Sequence, residues 1–140
     1  MARTYSEDIC LADSTSSHTI LKSDIYFTHL VPKEEYVNII IGSGNVIEGT
    51  GRAIILFPEG TKFIINNALL STKSRRNLLS FKDIRRNGYH IETMNEGSHK
   101  YLCITTHDLN KKVILEKLPL LSSGLYYTKI SAIESHATVN

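Results

Sequence analysis

Apolar residues in this chain come in short β-branched bursts separated by Gly, Asn, Ser and Pro, the pattern of an all-β domain. The bursts predict strands at Ile9–Ala12, Tyr36–Ile41, Ala53–Phe57 and Lys62–Asn66. After a break they predict four more, at Tyr89–Met94, Tyr101–Thr105, Val113–Leu118 and Leu125–Ile130. Turn-forming clusters punctuate them: Gly42-Ser43-Gly44-Asn45, Pro58-Glu59-Gly60, Asn95-Glu96-Gly97 and Asp108-Leu109-Asn110. One segment departs from the pattern. Ser80-Phe81-Lys82-Asp83 reads as a capping box, with Ser80 as N-cap and Asp83 at the third helical position. Ile84 and the basic pair Arg85-Arg86 follow, and Asn87-Gly88 supplies a stop with positive charge at the helix C-terminus. One short helix is therefore expected, and the stretch after Ile130 is expected to be frayed or extended.

Composition changes little in this picture. A chain of 140 residues, 41% hydrophobic and 21% charged, suits one soluble domain, or a small domain with a tail. The formal charge of +2 is too slight to argue for nucleic acid. Cys10 and Cys103 follow no metal or redox spacing, so a disulfide framework is not expected and a reducing compartment is. The polar stretch Met1–Asp8 lacks the apolar region of a signal peptide. The longest apolar stretch, Val37–Ile41, has strand length and falls far short of the ~20 residues that span a membrane. A soluble intracellular protein, cytoplasmic or nuclear, is expected, with no membrane contact.

Candidate chemistry begins at Leu11-Ala12-Asp13-Ser14-Thr15-Ser16-Ser17, where an Asp follows a short apolar strand and precedes small hydroxyl residues. Such a strand can bury and fix a carboxylate that a tight turn then presents to a water, as acid/base chemistry by an aspartate requires. Taken alone, the same residues read more simply as a solvated turn or helix cap. The glycines Gly42, Gly44, Gly49 and Gly51 invite a phosphate-loop reading, but a β-branched run follows Gly51 where a helix N-terminus would be needed. A glycine-rich β-hairpin fits better, and a mobile hairpin can serve as a flap over a substrate. Lys73, Arg75, Arg76, Arg85 and Arg86 form a modest basic cluster. A solvated face is the preferred reading, and nucleic acid is not expected as a partner. The histidines His18, His29, His90, His99, His107 and His136 show no paired ligand spacing; neither metal nor other cofactor is expected.

In order along the chain these segments resemble the protease region of copia-type retrotransposon Pol polyproteins. That family carries an Asp-Ser-Gly-Ala-(Ser/Thr) segment, usually followed by His; here the counterpart is Asp13-Ser14-Thr15-Ser16-Ser17-His18. The hairpin glycines Gly42–Gly51 come next, then Asn67-Ala68-Leu69-Leu70-Ser71. Arg76-Asn77-Leu78-Leu79-Ser80, the short helix and Gly88-Tyr89 match the most specific signature. Gly124-Leu125-Tyr126 is similar to a motif of the pre-integrase region. The resemblance spans about Ile9 to Ile130.

The resemblance implies a retropepsin-like closed β-barrel over residues 1–90 and a pre-integrase-like β segment over residues 91–140. It also implies one Asp per chain, so that an active site exists only in a homodimer. There Asp13 would be the shared acid/base and Ser14 the hydroxyl that braces the pair, with Gly42, Gly44, Gly49 and Gly51 in the flap. Two carboxylates sharing one proton would activate water and polarise the scissile carbonyl of a polyprotein peptide. At one critical point the chain differs from the family: Thr15 stands where a Gly is usual, and a β-branched residue is expected to be strained there. Catalysis is therefore expected to be impaired. The zinc-binding and nucleocapsid motifs that flank such proteases do not occur in these residues, so an isolated remnant of a decayed element is expected.

Overall fold

The computed structural model describes residues 8–37 and 45–133. Its strands are β1 (Asp8–Asp13), β2 (Ile20–Leu21), β3 (Phe27–Val37), β4 (Asn45–Leu56), β5 (Lys62–Leu70), β6 (Asn77–Ser80), β7 (His90–Glu96), β8 (His99–Asp108), β9 (Lys111–Ser122) and β10 (Leu125–Ala132). The helix α1 covers Phe81–Arg86, and a 3-10 turn covers Asp24–Tyr26. The protein is thus all-β with one short α-helix.

The strands pair in the order β3-β4-β5-β2-β6-β1-β10-β9-β8-β7. A further pairing of Ser131 and Ala132 in β10 with Leu56 and Ile55 in β4 links β4, β5, β2, β6, β1 and β10 into a circuit. The strands are not evenly disposed around one axis. Strands β7, β8 and β9 form an antiparallel meander that joins the rest through β9–β10.

The central strand β1 lies between β6, to which it is parallel, and β10, to which it is antiparallel. Its residues Cys10–Ala12 are buried on both faces, as expected of a strand flanked on both sides. The main core gathers Ala12, Phe57, Phe63, Ile65, Leu79 and Ile84 with Leu102, Ile104, Leu118 and Ile130. That core spans the expected boundary near residue 90, and β10 supplies the neighbour of β1 from the far side of it.

Helix α1 forms as its caps dictate. The Ser80 hydroxyl accepts from Lys82 N, and Asn87 and Gly88 (φ 88°) close the far end. Asn87 also reaches sideways: its amide accepts from Ile64 N and donates to Ile64 O, both at 2.9 Å, pairing with β5 as a strand backbone would. Between sheet and meander, buried Glu116 of β9 accepts from Glu59 N and Thr61 N, each at 3.2 Å. It thereby fixes the Pro58-Glu59-Gly60 turn.

Three strands were not foreseen in full: β3 was expected only in part, and the short β2 and β6 not at all. β3 runs from Phe27, whereas the sequence suggested Tyr36–Ile41; residues 38–41 lie outside the described residues. Pro32 and the charged run after it obscure the pattern, yet β3 is an edge strand, where a missing N–H leaves no ladder bond unmade. The other two are very short, β2 of two residues and β6 of four, and all of these residues are buried.

Candidate functional site

Asp13 ends β1, 4% exposed, paired in register with Ser80 on one side and Leu125 on the other. The chain turns at once. Asp13 Oδ1 accepts from Thr15 N at 3.0 Å and from the Thr15 hydroxyl at 2.9 Å, so a local Asx-type turn occupies that oxygen. Among the described residues, no group donates to Oδ2. Ser71 Oγ is the one buried side-chain polar atom there without a partner, so Asp13 Oδ2 reaches solvent. The carboxylate is fixed by one oxygen and open at the other, an arrangement able to hold a water.

Thr15 overturns one expectation. Among the described non-glycine residues only Leu109 and Asn110 have positive φ, so Thr15 sits in ordinary backbone space without strain. Ser14 is exposed, with the turn at Gly124 beside it: a Cβ built on Gly124 would lie 3.8 Å from Ser14 Oγ.

The turn residues are tied to α1 by a relay that the capping-box reading only half anticipates. Ser80 caps the helix, but Asp83 does not reach back to Ser80 N. Instead the buried Thr19 hydroxyl stands between them, accepting from Ser80 N at 3.1 Å and donating to Asp83 Oδ2 at 2.6 Å. The Ser80 hydroxyl in turn donates to Ser16 O at 2.8 Å. The stretch from Asp13 to Thr19 is therefore anchored at both ends, by β1 and by the first turn of α1. Thr19 was missed because an isolated Thr carries no periodic signal.

A second feature was also missed. Side chains alternate along a strand, so Leu11 shares the face of Asp13, opposite to Cys10 and Ala12 of the main core. Leu11 pairs with Leu78, and Leu78 with Ile20. These three form a separate buried apolar cluster, with Leu69 packed against it. The spacing Leu11-x-Asp13 and Leu78-x-Ser80 was the signal available.

The hairpin glycines divide. Gly42 and Gly44 lie outside the described residues. Gly49 and Gly51 lie inside β4, which pairs with β3 as the hairpin reading required. A Cβ on Gly51 would fall 1.9 Å from His29 O, so this glycine is needed for close approach of the two strands. That requirement belongs to packing.

The basic residues also separate. Arg86 pairs with Asp83 at 3.4 Å, and Arg85 stacks over Phe81 at 5.9 Å, whereas Lys73, Arg75 and Arg76 project from the β5–β6 turn. Both cysteines are free and buried. Burial pushes the Cys10 thiol up to about 12 and raises that of Cys103. Burial, and then donation to Asp8, likewise raise the Tyr26 hydroxyl. No group of His, Cys, Asp and Glu among the described residues is placed to hold a metal ion. No helix among them is long and apolar enough to cross a membrane. Comparison with protein-family models, with curated proteins and with solved structures finds no match to this chain.

Proposed function

We propose that the chain is a β domain of copia-type Pol polyprotein origin and aspartic-protease ancestry, a retropepsin-like barrel whose catalysis is impaired. The observation that carries this reading is the corner built on Asp13. A buried strand delivers a lone carboxylate into a tight hydroxyl-rich turn, with one oxygen fixed and the other open, beside an apolar cluster on the same sheet face. This is what a peptide-cleaving aspartate needs, except that a single chain supplies one carboxylate where the chemistry requires two. The impairment is assigned to Thr15. Its hydroxyl takes a lone pair of Asp13 Oδ1, and its β-branched side chain adds bulk where a second copy must bring its own Asp13 within a few ångströms.

A second reading, an active homodimeric aspartic endopeptidase acting on its own polyprotein, is favoured by the unstrained backbone of Thr15 and by the open Oδ2. One experiment separates the two. Wild type, Asp13→Asn, Thr15→Gly and the double variant Thr15→Gly/Asp13→Asn are incubated at mildly acid pH with a mixture of unrelated peptides. Products are read by mass spectrometry, and association by sedimentation velocity. The impaired reading expects an inert monomeric wild type and a Thr15→Gly variant that dimerises and cleaves, with cleavage lost in the double variant. Cleavage by wild type, lost in Asp13→Asn, establishes the second reading. If all variants are inert and monomeric, the protease lineage is abandoned.

A further inference from the structure

The strand order ends at β3 and at β7, and a strand at an open edge presents unpaired N–H and C=O groups to any other chain. The two edges are built differently. β3 is blunted in the usual ways. It carries Pro32 and the charged residues after it, and its ladder with β4 shifts register twice. β7 has none of these devices. Its seven residues, His90–Glu96, pair with β8 without a shift and include no Pro, Gly or Lys. Ile91 turns toward the main core, while Thr93 and Asn95 on the same face are exposed, so the strand runs out beyond the core into solvent.

The charges that would guard such an edge are neutralised within the sheet. Glu92 pairs with Lys112 at 2.7 Å and Glu96 with Lys117 at 2.8 Å. Both lysines stand on β9, so each ion pair reaches across β8 and draws its carboxylate inward from the open side of β7.

We infer that β7 pairs antiparallel with the β7 of a second copy of this chain, about a two-fold axis at Thr93. The choice of partner follows from self-complementarity. Residues directly opposite in an antiparallel pair share a face. With the axis at Thr93, all seven residues are matched. His90 then lies opposite Glu96, Ile91 opposite Asn95, Glu92 opposite Met94, and Thr93 opposite its own copy. Moving the axis to Glu92 sets Glu92 against Glu92, and moving it to Met94 sets Glu92 against Glu96 twice. Like charges directly opposite are destabilising, so one register is selected. In that register carboxylates of the two copies meet only diagonally, and each carries its own lysine.

One strand pair is a small interface, so the dissociation constant is expected at ~0.1–1 mM. At the far lower concentrations of a cleavage assay the pair is dissociated. The association is independent of Asp13 and of any catalysis.

The test combines sedimentation velocity with disulfide trapping. The sedimentation coefficient of wild type should rise as the concentration approaches ~1 mM. Thr93→Lys, at an exposed position, sets two lysines face to face and should abolish that rise without altering the circular dichroism of the monomer. Cα atoms directly opposite lie ~4.5–5.5 Å apart, within disulfide reach. Under oxidised glutathione, Thr93→Cys should therefore form a covalent dimer at least about tenfold faster than Asn95→Cys. The two copies of residue 95 would be about four residues apart along the strands, ~13 Å, beyond the ~7 Å limit. The native Cys10 and Cys103 are buried in both variants. A wild type that stays monomeric at ~1 mM overturns the inference, as does association of Thr93→Lys equal to that of wild type, which would put the contact on another surface. Equal trapping of the two cysteine variants also overturns it, since β7 would then be pairing with something other than its own copy in this register. The two proposals fail separately. Thr93→Lys in the Thr15→Gly background leaves any cleavage intact, and loss of Asp13 leaves the trapping of Thr93→Cys intact.

Discussion

Replacing Thr19 by Val keeps the shape of the side chain and removes only its hydroxyl, which makes it a direct probe of the relay between Ser80 and Asp83. The hydroxyl is wholly buried and makes two bonds, accepting from Ser80 N at 3.1 Å and donating to the Asp83 carboxylate at 2.6 Å. A hydrogen bond to a charged group contributes about 1.5–3 kcal/mol, and a buried N–H left without a partner costs about 1–3 kcal/mol. The two are coupled, and Arg86 at 3.4 Å still offers Asp83 some compensation, so the expected loss is about 3 kcal/mol rather than the full sum. With a urea m-value of about 2 kcal/mol/M, the midpoint falls by about 1.5 M. The chain has no tryptophan, so unfolding is followed by tyrosine fluorescence and far-ultraviolet circular dichroism. Thr19→Ser keeps the hydroxyl and deletes a buried methyl, for about 1 kcal/mol. The order wild type, Ser, Val is therefore expected. If Val is within about 1 kcal/mol of wild type and Ser is the worse variant, the methyl rather than the relay anchors this turn, and the reasoning is wrong.

Three further outcomes are expected. Gly51→Ala, whose new Cβ would fall 1.9 Å from His29 O, should cost about 3 kcal/mol or more, or prevent folding. Gly60→Ala, at φ 95° with open space around it, should cost only about 1 kcal/mol; chemical denaturation checks both. In alkali, the unfolded chain loses the Cys10 proton above 9.0 while the folded chain keeps it to about 12, so stability complete below pH 9 is lost as pH rises through that window. Cys10→Ala should remove up to about 1.4 kcal/mol per pH unit of that slope, and an unchanged slope would show that the thiol is not the group responsible. At the β8–β9 turn, Leu109 and Asn110 both have positive φ, and Leu109 is 91% exposed, so the Leu side chain is strained with nothing to pack against. Leu109→Asn/Asn110→Gly should raise the stability by about 1 kcal/mol, seen as a higher midpoint in thermal or urea unfolding.

Much of the fold was written locally. Alternating β-branched bursts and Gly/Asn/Pro turns specify strands because pleating and turn dihedrals are near-neighbour properties. The short helix was legible for the same reason, since Ser80 and Asn87-Gly88 act on backbone groups within one turn of themselves. The strand at β3 was legible only in part, because tolerance of Pro32 depends on β3 being an edge strand, and edge position is fixed by pairing.

The candidate site divides along the same line. By itself the sequence determined Asp13, its place after an apolar strand and the hydroxyl turn that follows, all within a few residues of one another. Only the tertiary structure decided that Thr15 is unstrained and donates to Asp13, and that Gly51 serves strand packing. It alone set Thr19 between Ser80 and Asp83, and placed Leu11, Leu78 and Ile20 together in one buried cluster. The physical reason is register. Which residues of separated strands share a row follows from how β1, β2, β6 and β10 pair, and that is settled by burying one core common to the whole chain, which no single segment can express.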